Sequence, residues 1–391
     1  MLRFGILGIG QCGTSIAEYA FKQGFKAVIA NTAKVDLDQA KYIPDDCKIH
    51  LGGQGAGRER EIGAERMIDS AEYILKKCKQ QFEGCDAVFV TASGGGGTGS
   101  GALPVGLEIL MSFNKYVGSI IVLPEEKESP KAKMNALDCF GEISELENLG
   151  SVFIIDNAKA KQLNPYNSRR QIYEITNSEV IDLIVELNAL TDKPSYVSNF
   201  DAGDLLGVIR ERGYTLLSKT EYYSYGKEDK YDIASKIRES WKSNYQPYFN
   251  DGQILKGAII GKINERLSSR VDVHLIFQET GIPYDFNDVY FYPETPDIEN
   301  DLGTKNKNTF YTILSGLAFP NSRLGNLNQD VKKMEDRLMK NFNLSQTQKF
   351  ENENWGNKFS KKVVNLDFNR NNSDAGHEKI NLMEKLSKYK K

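Results

Sequence analysis

Histidine is nearly absent from this chain, with three in 391 residues: His50, His274 and His377. They lie far apart, so neither a histidine-based metal site nor a Ser-His-Asp arrangement is expected. Cysteine is sparse and odd in number. Cys12, Cys47, Cys78, Cys85 and Cys139 are scattered and no CxxC occurs, which argues against a disulfide framework and reads as reduced thiols of a cytoplasmic protein. No apolar run approaches the roughly 20 residues that span a bilayer, and Met1-Leu2-Arg3-Phe4-Gly5 leads straight into a strand-like run, so neither a membrane segment nor a signal peptide is expected. A dominant charge is also lacking. The net charge is −3, which gives no global attraction to nucleic acid or to a membrane. Finally, GxxxxGK[ST] is missing, which argues against a P-loop NTPase.

What is present is glycine, 34 residues of it, within a 40% hydrophobic composition that suits a globular chain long enough for two domains and a tail. The densest stretch is Ser93 to Gly101, SGGGGTGSG. An apolar, β-branched run from Cys85 to Ala92 precedes it and reads as a buried strand. Ala102 to Met111 follows with helical spacing, and Pro104 is expected in its first turn. Glycines in a strand-to-helix turn let several backbone N–H groups converge, and the helix dipole adds positive potential, so this turn is a phosphate-binding candidate. Thr98 and Ser100 would add hydroxyl donors. The competing reading, a flexible linker, sits badly between a buried strand and an apolar helix. GGGTGSG, Gly95 to Gly101, resembles the signature of the tubulin/FtsZ family of GTPases.

Two further glycine loops precede it. Leu2 to Leu7 reads as a strand, followed by Gly8-Ile9-Gly10-Gln11-Cys12-Gly13 and a helix from about Thr14 to Gln23. Alone, GxGxxG would indicate a dinucleotide fold and a nicotinamide-dependent oxidoreductase. That fold wants an acid at the end of the second strand for a ribose hydroxyl, where this chain has Asn31-Thr32. The other loop is Leu51 to Arg58, LGGQGAGR, before a charged helix expected from Glu59 to Gln81. By resemblance, Gly10, Gln11 and Cys12 match the family's first nucleotide loop and Asn31 its second. Gly55, Ala56 and Gly57 match the loop that senses the γ-phosphate, and Gly95, Gly96, Gly97, Thr98 and Gly99 are the signature itself. Strands are expected over Gly118 to Leu123 and Val152 to Asp156. Pro124, Glu128 and Lys133 match the family's Pro, Glu and Arg, with Lys in place of Arg and one residue further on. Asn157 matches an Asn that contacts guanine and ribose.

A long helix is expected from Arg170 to Leu190, stopped by Asp192-Lys193-Pro194. Tyr173 and Asn177 lie at i and i+4 on one face, an aromatic for stacking and an amide for base edges, as in tubulin; the plainer reading is helix decoration. Then Asn199, Asp201 and Asp204 form N-x-D-x-x-D. Read alone, this is a helix cap with Asp201 capping and Asp204 in the first turn. By resemblance to FtsZ it is the catalytic loop, whose carboxylates orient water in the neighbouring subunit's site. Helices are expected over 204–217, 231–241 and 329–341, and strands over 255–260, 271–277, 289–292 and 310–317.

The resemblance implies an α/β fold: a Rossmann-like parallel-sheet GTP-binding domain (1–170), a central helix (171–193) and a second α+β domain with a small mixed sheet (194–344). A flexible basic tail (345–391) would follow; from Asn321 onward 15 Lys+Arg face 9 Asp+Glu. It also implies GTP/GDP and Mg²⁺, with the metal held mainly by phosphates and waters, and head-to-tail self-assembly into a filament. The GQCG loop, the divergent Pro124 region and the basic tail look most like TubZ, the plasmid- and phage-borne branch. That implies DNA segregation through a DNA-binding adaptor on the C-terminal region, without direct nucleic-acid binding. An FtsZ-like division polymer and a GTP-binding regulator that never polymerises are the alternatives.

Overall fold

The computed structural model describes residues 1–113, 116–195, 199–224, 228–248, 254–263, 265–278, 288–293, 299–300, 303–304 and 306–347. The amino-terminal half alternates strand and helix: β1 (Phe4–Ile9), α1 (Gly10–Lys22), β2 (Lys26–Asn31), α2 (Lys34–Gln39), β3 (Lys48–His50), α3 (Arg60–Asp69), α4 (Ala71–Gln81), β4 (Ala87–Ser93), α5 (Gly97–Met111), β5 (Tyr116–Leu123), α6 (Pro130–Ser144), β6 (Ser151–Asp156) and α7 (Asn157–Leu163). The strands are parallel in the order β3-β2-β1-β4-β5-β6. They read as continuous apolar runs because both faces are covered, as parallel sheets require. The order reverses between β1 and β4, and a ligand cleft is expected at the carboxyl ends there.

Next come α8 (Arg169–Leu190), α9 (Ala202–Ile209), β7 (Gly213–Ser224), α10 (Lys230–Ser243), β8 (Lys256–Ile263), α11 (Glu265–Ser268), α12 (Val273–Gln278), β9 (Asp288–Pro293), β10 (Glu299–Asn300), β11 (Gly303–Thr304), β12 (Asn306–Leu317) and α13 (Asn321–Thr347). Of the later strands, β10 and β11 pair antiparallel in a two-stranded sheet of their own, and the rest join the first sheet. β7, β12, β8 and β9 extend it in the order β6-β7-β12-β8-β9, joined where Ser151 and Val152 pair with Gly213 and Tyr214. The pairs β7–β12 and β12–β8 are antiparallel, so the sheet is mixed. One apolar cluster packs α3, α4, α5 and α6 on one face; on the other, α8 buries Val180, Ile181, Ile184, Leu187 and Leu190 with Ile260 and Ile313.

Several expected boundaries shift, each for a local reason. The helix expected over Glu59 to Gln81 is two, broken at Ser70. The one expected over 204–217 stops at Ile209, because Gly213 (φ 113°) turns the chain into β7. The strand expected over 271–277 is instead α12, since a short apolar run does not distinguish strand from buried helix. The basic tail from residue 348 lies outside the described residues.

The signature helix begins inside the glycine run, at Gly97, so Pro104 stands two turns in rather than in the first turn. Its missing N–H leaves the Ser100 carbonyl without its helical donor. Arg60 replaces it, donating from Nη2 at 3.3 Å while Glu142 holds the guanidinium at 2.7 and 2.8 Å. That contact requires α3 to lie very close to α5. A Cβ on Gly101 would fall 1.8 Å from the Arg60 carbonyl oxygen, which explains why the signature ends in glycine.

Candidate functional site

The glycine loops, α1, α5 and the start of α8 enclose one cavity of about 1210 Å³ at the carboxyl ends of the parallel strands. The β1–α1 turn contributes Gly10, Gln11 and Cys12, and β2 ends there in Asn31. The loop after β3 contributes Gly55, Ala56 and Gly57, and the β4–α5 turn Gly95 to Gly99. Glu128, Asn157, Tyr173 and Asn177 complete the set, so all the sequence-derived nucleotide residues except Pro124 and Lys133 line one cavity.

The cradle leaves no room for side chains at its tightest points. Gly10 adopts φ 69°, and a Cβ there would stand 3.2 Å from the Gly99 amide nitrogen; one on Gly97 would stand 2.8 Å from Arg58 Cα. The amide-rich N-terminus of α5, capped by Gly96 with no side-chain bond, therefore faces open space. That arrangement receives an anion. Thr98 Oγ1 bonds Thr32 Oγ1 at 2.7 Å. Ser100 is no ligand donor, since its hydroxyl bonds back to the Gly96 carbonyl inside α5. Asn157 is 6% exposed and its Oδ1 has no partner, an orphaned acceptor that fits a donor on a bound base or sugar.

Burial, aided by the Glu128 carboxylate, pushes the Cys12 thiol up to about 12, so it lines the cavity as a neutral group rather than a nucleophile. Burial and Glu128 likewise raise the Tyr173 hydroxyl, and its side chain lines the cavity while 37% exposed. Among the described residues no cluster of three or more His, Cys, Asp or Glu could hold a metal ion. The backbone-rich lining fits a cation carried in by the phosphates.

The two exceptions have definite places. Lys133 is buried on α6 and its Nζ pairs with Asp330 Oδ2 at 2.7 Å, away from the cavity. The Pro124 carbonyl accepts from Arg323 Nη2 at 2.9 Å. The cations that do line the cavity are Lys22, Arg58, Arg169 and Arg170, which sequence reasoning missed. Arg169 and Arg170 had a signal in their place at the first turn of the helix carrying Tyr173; Arg58 had one in directly following Gly55-Ala56-Gly57.

Asn199, Asp201 and Asp204 are not at the cavity. Asp201 and Asp204 form a reciprocal capping box at the start of α9, each accepting a backbone N–H at 2.9 Å. Asn199 Oδ1 accepts from the Ser195 amide at 2.9 Å, and Phe200 is fully buried between them. The loop lies beyond the far end of α8, whose 22 residues span about 33 Å at 1.5 Å per residue.

Residues 4–165 match the family profile described as "Tubulin/FtsZ family, GTPase domain". The tubulin-like protein CetZ of Pyrococcus furiosus is 33% identical over 265 residues, which cover 65% of this chain and 68% of that protein. The chain belongs to the tubulin/FtsZ family. The tubulin-like protein TubZ of Bacillus cereus is 32% identical over 57% of this chain and 56% of its own length, so the TubZ and CetZ branches of the family stand equally near. Among solved structures, a GTPγS-form protofilament of Bacillus thuringiensis serovar israelensis TubZ superposes with a TM-score of 0.69 at 18% identity, covering 88% of this chain and 94% of that one. This establishes that the tubulin/FtsZ fold extends beyond the GTPase half. Membership of the tubulin/FtsZ family sets aside the nicotinamide oxidoreductase that GxGxxG alone would have indicated.

Proposed function

We propose that the chain hydrolyses GTP in sites completed between subunits, and so forms a head-to-tail filament. One observation carries this reading. Among the described residues the acids that line the cavity, Glu18, Asp36, Glu128 and Glu174, lie on α1, α2, the β5–α6 loop and α8 rather than on the glycine loops, and the loop bearing Asp201 and Asp204 is a helix length away. The two meet only if the loop of one copy docks on the cavity of the next. Such a contact is heterologous and does not close, so it propagates.

In this reading the amides of the three glycine loops bind the phosphates. Asn157 bonds the guanine or ribose, Tyr173 stacks on the base and Asn177 reads its edge. Mg²⁺, held by phosphate oxygens and water, would neutralise part of the triphosphate charge. Asp201 and Asp204 of the incoming loop accept hydrogen bonds from the attacking water and Asn199 positions it. A group in this role contributes roughly 10²–10⁴ in rate. The superposition on a TubZ protofilament supports the assembly. Similarity to TubZ and the basic composition after Asn321 support transport of plasmid or phage DNA through an adaptor held by the C-terminal region.

Two variants test the shared site. Asp204→Asn keeps an acceptor for the Asp201 amide and should bind GTP normally while losing about 10²-fold or more in turnover. Gly96→Asp fits sterically, since a Cβ there meets nothing within 4 Å, but places a carboxylate in the phosphate cradle and should abolish binding. Mixing the two should restore hydrolysis, because the intact cavity of one meets the intact loop of the other. An inactive mixture, or full turnover in Asp204→Asn alone, would contradict the proposal.

A further inference from the structure

A second cavity, of about 340 Å³, lies between the end of α8 and one face of the later strands. Glu186, Ala189, Leu190 and Lys193 recur at i, i+3, i+4 and i+7, so one face of α8 and the turn after it form the first wall. The other wall is the sheet. Lys219 and Glu221 share a face of β7, and Tyr311 and Thr309 of β12 stand directly across from them. Thr309 is in turn paired with Lys262 of β8. Along two of these strands the apolar core gives way to charge within two residues, from Leu217 to Lys219 and from Ile260 to Lys262.

The charges of this recess do not balance. Glu186 accepts from Lys219 Nζ at 2.9 Å and from the Tyr311 hydroxyl at 2.7 Å. Glu221 accepts from Lys219 Nζ at 2.8 Å and from Lys307 Nζ at 3.0 Å. Burial opposes the charge on Lys219, but its bonds to the two carboxylates outweigh that and hold it above the ordinary lysine value. Both carboxylates are thus engaged. Neither Lys193 nor Lys262 has a carboxylate partner among the described residues. Four ammonium groups line the recess against two carboxylates, an excess of two positive charges. Lysines bind phosphate as point charges, and a phosphate monoester carries close to two negative charges at neutral pH. The recess is larger than a bare phosphate and lies at the small end of ligand pockets. Ala189 and Leu190 offer an organic body apolar contact, and Thr309 a hydroxyl.

We propose that this recess binds a small phosphate monoester, with Lys193 and Lys262 meeting the charge of its phosphate group. The site is separate from the nucleotide cavity, which takes its α8 residues from the opposite end of that helix. An occupant would tie the end of α8 to the sheet, just before the segment that carries Asn199 and Asp201.

Calorimetric titration of glycerol 3-phosphate into the full chain, without Mg²⁺, tests this. The Gly96→Asp chain is the host, because its added carboxylate keeps phosphates out of the nucleotide cavity. It should bind one glycerol 3-phosphate per chain, less tightly as salt is raised. In that host, Lys193→Gln with Lys262→Gln should weaken binding about 10-fold or more. Lys41→Gln with Lys76→Gln removes the same charge from exposed positions elsewhere and should change it by less than about 2-fold. Neither Lys193 nor Lys262 pairs with another described element, so the melting temperature should stay where it is. No saturable binding, or equal weakening by the two pairs of substitutions, would overturn the proposal. Either failure leaves the GTP reading untouched, since that reading uses the other cavity.

Discussion

Glu179 sits on α8, two residues past Asn177, with Oε1 accepting from the Tyr245 amide at 3.1 Å and Oε2 left without a partner. Burial pushes its carboxyl up to about 7 from an ordinary 4.5, against the smaller pull of that hydrogen bond and of Lys159. Burial also draws Lys159 down to about 8 while its Nζ donates to Asn244 and Gln246. Between pH 4.5 and 7 the folded chain therefore keeps a proton that the unfolded chain has lost, and stability falls as pH rises through that window. Glu179→Gln should flatten this slope in urea melts at pH 5 and pH 7 while leaving the window of Lys159, above pH 8, in place; an unchanged slope would assign it to other groups. Side chains that work along one element were legible in the sequence: Tyr173 and Asn177 are one helical turn apart, and the glycine loops each follow their own strand. Lys133 was not legible, because what takes it from the cavity is Asp330, nearly two hundred positions away. Nor was Arg58, whose left-handed backbone (φ 68°) leaves no trace in a one-letter code that shows an ordinary arginine.

At the scale of elements, α13 is the strap that joins the end of the described chain to the cavity wall. Arg323 Nε and Nη2 hold both oxygens of Asp156 at 2.7 and 3.1 Å, and Nη2 also reaches the Pro124 carbonyl. Asp156 ends β6 and caps α7 through the Ala158 amide at 3.0 Å, directly before Asn157. The pair is almost fully enclosed, with side chains 14% and 5% exposed, and removing one partner of such a pair strands the other in a poor solvent. Arg323→Ala should cost about 3–5 kcal/mol of stability in denaturant unfolding, and Asp156→Asn in the same chain should recover part of it; a loss below about 1 kcal/mol would show the strap to be ornamental. The helices and strands of the parallel half could be read from apolar runs and glycine turns because each is covered on both faces. The later half was less legible for the same physical reason. Its short runs carry the same residue types in strand and helix, and Val273 to Phe277 lies in a helix that packs on α10, where Trp241 stacks on Phe277.

The whole molecule has two ends with different chemistry. One is a backbone-lined cavity for a polyanion and the other is a capped loop that presents Asp201 and Asp204 to whatever lies beyond it. Among the described residues no helix is long and apolar enough to cross a membrane, and the residues before Asn321 carry a net −9 against +6 after it. Such an acidic body repels its own copies at long range, so association should strengthen as salt screens that repulsion. In the proposed function neither end is an enzyme alone. GTP hydrolysis per molecule, followed across a protein dilution series with light scattering in parallel, tests it most directly. Specific activity should be negligible below a threshold concentration and rise together with scattering above it. Constant specific activity without scattering would contradict the account, leaving the Asp201–Asp204 loop as a helix cap and the chain as a GTPase complete within one subunit.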